Sequence, residues 1–106
     1  MLEQRLCFDQ LHNLGWRLCQ RRFCFPEKQW CGDLLFVKNN HLLVVETRFS
    51  DRPEKAKTWA EITADLLGPV VQRTRFGLFY GHVTPYGRLQ GIQKWTVERS
   101  ISTICL

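Results

Sequence analysis

The most constraining feature of the chain is a predicted β-hairpin with an acidic residue at the outer end of each arm. Two apolar runs, residues 33–38 and 41–46, flank an Asn-Asn dipeptide at 39–40. Asn tolerates a positive φ, so a two-residue Asn-Asn loop favours a type I′ turn. Counting outward from that turn along both arms brings Asp33 opposite Glu46. We therefore expect the two carboxylates to face each other across neighbouring strands, with Cβ atoms about 4.5–5.5 Å apart.

Two like charges in this position need a cation. Carboxylates placed directly opposite each other destabilise a sheet unless a positive charge lies close by. Arg48 follows Glu46 by two positions and is expected on the same face of the strand. The cation is therefore either a divalent metal ion or the guanidinium of Arg48, and the sequence leaves both alternatives open.

Length and charge are those of one small basic domain. The 106 residues predict a single domain over 1–106, and the formal net charge is +5 with a pI near 9.2. This charge permits a polyanionic partner without requiring one. No apolar run reaches the length of a membrane span, and the N-terminus lacks the apolar core of a signal peptide. We expect a cytoplasmic protein that does not insert into a membrane.

The five cysteines agree with that compartment. Their number is odd and no secretory signal precedes them, so free thiols in a reducing, intracellular compartment are expected. A zinc site built from Cys19, Cys24 and Cys31 is the alternative, but the gaps are irregular and no CxxC pair occurs.

Periodicity elsewhere predicts helices and strands in the order α-β-β-β-α-β-β. This order indicates an α/β (α+β) domain with a mixed central sheet and helices on its faces. The predicted segments are a helix over 2–13, a strand over 16–25 with a bulge near residue 20, a polar connection over 27–32, the hairpin arms, a helix over 52–67, a strand over 76–84 and a final strand or strand pair over 89–101.

Local signals set the helix ends. Gly15 suits the position just after the first helix. Asp51 and Glu54 resemble a capping box at the start of the second, and Gly68-Pro69 is expected to end or kink it. Trp30 lies in the polar connection, so it is the tryptophan expected to be most exposed, at an interface or stacked on a base.

Residues 1–67 resemble the PD-(D/E)xK nuclease core, closest to small YraN-like proteins and more loosely to Holliday-junction resolvases. The resemblance places the family's Asp on Asp33, its Glu on Glu46 and its early helical Glu on Glu3. The usual Gly-aromatic entry into the first strand falls on Gly15-Trp16. Arg48 stands where the family has Lys.

The resemblance implies a restriction-endonuclease-like fold, an α-β-β-β-α-β core and metal-assisted hydrolysis of DNA phosphodiesters. Asp33 and Glu46, with a backbone carbonyl at Thr47, are expected to hold Mg²⁺ or Mn²⁺, and Arg48 to contact the phosphate. Glu3 is either a further catalytic residue or an exposed Glu favoured by the helix dipole. The residues expected to bind the nucleic-acid backbone are Arg52, Lys55, Lys57 and Arg73.

Two functions remain open on the sequence. The first is a metal-dependent endonuclease, acting on branched or nicked DNA as a homodimer. The second is a catalytically inactive nucleic-acid-binding or assembly subunit on the same scaffold. Arg48 separates them, because a guanidinium keeps the charge of Lys but does not deprotonate and cannot serve as a base.

Overall fold

The protein is described by a computed structural model covering residues 2–97, with side chains from Cys7 onward. The described chain has two helices and a five-stranded mixed sheet, so the α+β class and the predicted order of elements are confirmed. The elements are α1 (Leu2–Asn13), β1 (Arg17–Phe25), a 3-10 turn (Pro26–Lys28), β2 (Trp30–Lys38), β3 (His41–Glu46), α2 (Pro53–Val71), β4 (Gly77–Val83) and β5 (Leu89–Lys94).

The sheet follows chain order, β1-β2-β3-β4-β5. Neighbouring strands are antiparallel except β3 and β4, which are parallel and are connected through α2. The final strand ends at Lys94, earlier than predicted, and residues 98–101 of the predicted segment lie outside the described chain. Because β3 and β4 run parallel, their carboxyl ends lie side by side. The segment that leads into α2 begins at this same end of the sheet, since it follows β3.

The hairpin has the predicted register. Lys38 pairs with His41, and the pairing continues outward to Leu34 and Val45. The turn type differs from the prediction, since Asn39 has φ 53 but Asn40 has no positive φ, and a type I′ turn needs both. The register therefore depends on the loop length and on the apolar alternation rather than on that turn geometry.

The two faces of the sheet have separate cores. One core packs under α2, and its strand residues include Leu35, Val44, Leu78 and Tyr80. The other packs under α1 and contains Leu34, Phe36, Leu43, Val45 and Val83. Alternation along β2 and β3 divides these residues between the faces, because successive side chains of a strand point in opposite directions.

The signal predicted for the end of α1 is confirmed, and the one predicted for the start of α2 is wrong. At α1, Gly15 takes φ +92 and the amide of Trp16 donates to the carbonyl of Leu11, which is the expected glycine-terminated end. At α2, the N-cap is Arg52 with no side-chain cap bond, so the Asp51 capping box is wrong.

Gly68-Pro69 does not end α2, which continues to Val71. Gly68 instead provides space for the Trp95 indole, which a Cβ at that position would approach to 2.2 Å. The indole N–H donates to Asp65 Oδ1 at 3.0 Å. The glycine is therefore explained by a close packing contact and not by a helix end.

The β1–β2 pair corrects the connection and the cysteine predictions. The bulge in β1 falls between Leu18 and Gln20, as expected. However, β2 already begins at Trp30, so the polar connection is shorter than 27–32 and Cys24 lies opposite Cys31.

Cys24 and Cys31 form a disulfide with a Cα–Cα distance of 3.9 Å, so the free-thiol prediction is wrong for them and neither can ligate zinc. Cys7 and Cys19 are free thiols, and Cys105 lies outside the described chain. Burial raises the pKa of the Cys7 thiol to about 12. No helix in the described part of the chain is long and apolar enough to cross a membrane.

Candidate functional site

Glu46 and His82 lie in one row at the end of the sheet, on the face covered by α2, and Asp33 lies close to Glu46. Glu46 is the register partner of His82 across the parallel β3–β4 pair. Asp33 precedes Leu34 on β2, and Leu34 pairs with Val45 next to Glu46. By strand alternation, Glu46 and His82 lie on the face on which Val44 and Tyr80 form the core. Alternation does not place Asp33, because Gly32 faces Thr63 of α2 while Leu34 belongs to the core under α1. The observed pairing ends at Leu34 and Val45, so the pairing of Asp33 with Glu46 stays a prediction.

Glu46 is held by Arg48 through both carboxylate oxygens. Arg48 Nε donates to Oε1 at 2.7 Å and Nη2 donates to Oε2 at 2.9 Å. The backbone amide of Arg48 also donates to Oε1, at 3.0 Å. Nη2 makes a further bond to the Cys31 carbonyl at 3.1 Å, which ties the guanidinium to β2. Glu46 is 1% exposed and Arg48 39% exposed, so one end of the pair is buried and the other reaches solvent.

Asp33 has neutral partners only. Its Oδ2 accepts hydrogen bonds from the backbone amide of Thr47, at 2.9 Å, and from the Thr47 hydroxyl. Within the described chain, Oδ1 receives no hydrogen bond. Thr47 therefore contributes donors to the site, whereas the sequence analysis expected its carbonyl to be a metal ligand.

The pKa values of Glu46 and Arg48 depend on burial and on the charges beside them. Burial raises the pKa of Glu46 most strongly, Asp33 raises it further, and the hydrogen bonds and charge of Arg48 lower it. The same hydrogen bonds raise the pKa of Arg48. The charge of Asp33 also raises the pKa of Arg48, so the guanidinium interacts with both carboxylates.

His82 also lies in this row, as the register partner of Glu46. It is 5% exposed, and neither ring nitrogen has a hydrogen-bond partner among the described residues. Burial lowers the pKa of His82, Lys57 lowers it further and Glu61 raises it. Its signal in the sequence is the alternation of His82 with Leu78 and Tyr80, which places a titratable ring on a buried face.

The predicted basic residues do not form a single patch. Arg52 caps α2, and Lys57 lies on its exposed surface close enough to His82 to shift its pKa. Arg73 follows the other end of α2, about 28 Å away for a helix of 19 residues. The side chain of Glu3 lies outside the described part of the chain. The structure therefore brings Arg48, Arg52 and Lys57 to the carboxylate end and leaves Arg73 at the opposite end.

Three aromatic rings adjoin the Glu46–Arg48 pair. Trp30 and Phe49 pack against Trp59 with centroid distances of 5.0 and 5.2 Å. The Trp30 indole N–H donates to the Thr63 hydroxyl at 2.9 Å, so Trp30 is partly buried and anchored to α2. Lys55 Nζ lies 4.2 Å from the Phe49 ring centroid. Phe49 and Trp59 were not identified from the sequence as neighbours of the site.

A divalent ion fits this arrangement poorly. Mg²⁺ and Mn²⁺ need open oxygen ligands, and both oxygens of Glu46 already accept from Arg48. Among the described residues, no three His, Cys, Asp or Glu side chains are placed to hold a metal ion together. Asp33 Oδ1 is the carboxylate oxygen of the pair that stays open, so metal binding at both acids requires Arg48 to move.

Comparison with known proteins adds no family assignment. The chain matches no protein-family model and no curated protein.

Proposed function

We propose that this protein binds the phosphodiester backbone of nucleic acid on a nuclease-like scaffold, without metal-dependent cleavage. The observation that carries the proposal is the pairing of both Glu46 oxygens with Arg48. A guanidinium in this position neutralises the acid that a metal ion would otherwise hold. It also remains partly exposed, so it can contact a phosphate.

Charge and architecture support this proposal. The net charge of +5 favours a polyanion, and Arg52, Lys55 and Lys57 lie on the first turns of α2 beside Arg48. The α-β-β-β-α-β order agrees with the order that the nuclease resemblance implies. Contacts of this kind position a backbone and read no sequence.

Salt dependence of binding tests the proposal. We expect a labelled oligodeoxynucleotide, followed by fluorescence anisotropy in EDTA, to bind at low ionic strength. Four phosphate contacts, by Arg48, Arg52, Lys55 and Lys57, imply a slope of log affinity against log salt of about −3.6 on duplex DNA. Arg52→Gln and Lys57→Gln should each flatten the slope by about 0.9. Arg73→Gln is the matched control, because Arg73 lies beyond the far end of α2 and should leave the slope unchanged. An affinity that does not change with salt concentration, or no binding at low salt, would overturn the proposal.

A second candidate, metal-dependent hydrolysis of DNA, is favoured by the carboxylate of Asp33, whose Oδ1 has no hydrogen bond among the described residues. Two carboxylates with one guanidinium leave room for one more cation, and Oδ1 of Asp33 is open to it. Mg²⁺ or Mn²⁺ would supply Lewis acidity at a phosphate oxygen. Incubation of supercoiled and branched DNA with Mn²⁺ separates the two functions. Cleavage that Asp33→Asn abolishes would replace the first proposal by the second, whereas binding without cleavage supports the first.

A further inference from the structure

Trp30, Phe49 and Trp59 form an aromatic cluster that is only partly buried. Each ring is half-buried, so each keeps part of its surface in solvent. Trp59 is the central ring and contacts both others. The cluster lies beside the proposed backbone-binding residues, because Phe49 directly follows Arg48 and Trp30 directly precedes Cys31, whose carbonyl Arg48 contacts.

The Phe49 ring is held in place at a conformational cost. Its backbone has φ +62, a left-handed conformation that is rare for a bulky non-glycine residue. The loop is closed by a hydrogen bond from the Arg52 amide to the Phe49 carbonyl at 2.8 Å. Strained positions of this kind persist where the surrounding structure requires them, and they concentrate at ligand-binding sites. Here the strained conformation sets the ring edge-on against Trp59.

One cation lies against these rings, and two more are close to Phe49 in the chain. Lys55 Nζ lies 4.2 Å from the Phe49 centroid and 5.2 Å from the Trp59 centroid. Arg48 and Arg52 flank Phe49 in the chain. Proteins that bind single strands combine a positive surface for the backbone with aromatic faces for the bases. The charge of this corner therefore complements a polyanion, and its rings complement unpaired bases.

We propose that the aromatic cluster stacks unpaired bases, so that the protein prefers single-stranded segments over duplex nucleic acid. This inference rests on the proposed nucleic-acid binding and names its substrate class. Phe49 and Trp30 contact the bases, and Lys55, Arg48 and Arg52 contact the neighbouring phosphates. Stacking needs no particular base, so the preference is for strand state and not for sequence.

The Phe49→Gly variant tests the inference because it separates stacking from packing. Glycine adopts a positive φ without strain, so the variant removes the ring and relieves the backbone together. We expect about tenfold weaker binding to a deoxythymidine oligomer and less than twofold weaker binding to a duplex of equal length. Thermal stability should stay the same or rise. Phe76→Gly is the matched control, since Phe76 is 38% exposed and lies just before β4, after the C-terminal end of α2, whereas the cluster lies near its beginning.

Intrinsic tryptophan fluorescence supplies a second measurement on the wild-type chain. Oligothymidine should quench it at saturation, and an equal length of duplex should quench it much less. If the wild type binds both with equal affinity and without quenching, the inference is overturned while nucleic-acid binding stands. If Phe49→Gly lowers stability and leaves single-strand affinity unchanged, the cluster is structural and the inference is likewise wrong. If the wild type binds neither oligomer at low salt, the proposed function itself fails.

Discussion

Two consecutive rows of side chains on the α2 face of the sheet have opposite character. Leu35, Val44 and Tyr80 form one row, and they belong to the core under α2. Two positions further along the same strands, the next row is polar and includes Glu46 and His82. Burial does not separate the rows, because Val44 and Glu46 are each 1% exposed. Strand, face and covering helix are shared, so only the residue types differ.

The difference indicates that the polar row contributes less to the stability of the fold than the apolar row does. The apolar row stabilises the fold by about 25 cal/mol for each Å² removed from water. The polar row desolvates a carboxylate and an imidazole, and burial acts against the charged form of both groups. A buried ion pair such as Glu46–Arg48 is often no better than apolar side chains of the same volume. The proposed binding of nucleic acid would account for the polar residues at this end of the sheet.

Removing the cation from the polar row should produce the largest effect. Arg48→Ala leaves Glu46 buried without a counter-charge, which typically costs about 3 kcal/mol of unfolding free energy. A carboxyl with a raised folded pKa is most stabilising below its unfolded value and loses that contribution as pH rises through the folded pKa. The pKa of Glu46 is already raised from 4.5, and loss of Arg48 raises it further. Urea denaturation should therefore show a large loss at pH 8 and a small one near pH 4.5.

The matched control replaces the charged pair of Glu46 and Arg48 by apolar side chains. Glu46→Leu combined with Arg48→Leu removes both charges and should recover most of the stability that Arg48→Ala loses. If Arg48→Ala lowers the free energy of unfolding equally at both pH values, the guanidinium acts by packing and not by neutralising Glu46.

A smaller effect of opposite sign is expected at His82. His82→Leu removes two buried nitrogens that lack partners in the described chain, so stability at pH 7 should rise by about 1 kcal/mol. The folded pKa of His82 is lowered, so the wild type should lose stability as pH falls from about 6.5 toward that folded pKa. His82→Leu should flatten this part of the pH profile. His41→Leu, at an exposed position on β3, is the control and should keep the slope. A destabilised His82→Leu would mean that the ring nitrogens have partners, such as ordered water.

The sequence predicted the part of the site that depends on alternation. Loop length and the two apolar arms determine the pairing of Lys38 with His41, which continues outward to Leu34 and Val45. Arg48 was identified as one of two alternative cations on the same reasoning. The roles of these residues, and of Mg²⁺, DNA and a homodimer, remain predictions.

Tertiary contacts account for what the sequence did not predict. Gly68-Pro69 has the composition of a helix end, but the Trp95 indole needs the space above Gly68. Cys24 and Cys31 lie opposite each other because β2 begins at Trp30, inside a segment whose polar composition indicated a loop. The aromatic cluster joins residues from β2, the following loop and α2, a proximity that no local pattern contains.

The change in stability expected from Arg48→Lys is as small as that from His82→Leu, but this variant is the sharpest test of the polar row. An ammonium is a single point charge and cannot bond both Glu46 oxygens as the guanidinium does. Stability should fall by only about 1 kcal/mol, since the counter-charge remains and one charge-assisted hydrogen bond is lost. The freed oxygen of Glu46, with Oδ1 of Asp33, then offers two open ligands on neighbouring strands. Mn²⁺ at ten times its dissociation constant should stabilise this variant by about 1.4 kcal/mol, or a few degrees in Tm, while leaving the wild type unchanged. Asp33→Asn in the Arg48→Lys background should abolish the shift. An equal Mn²⁺ response in wild type and Arg48→Lys would show that Arg48 does not occupy the position of the metal.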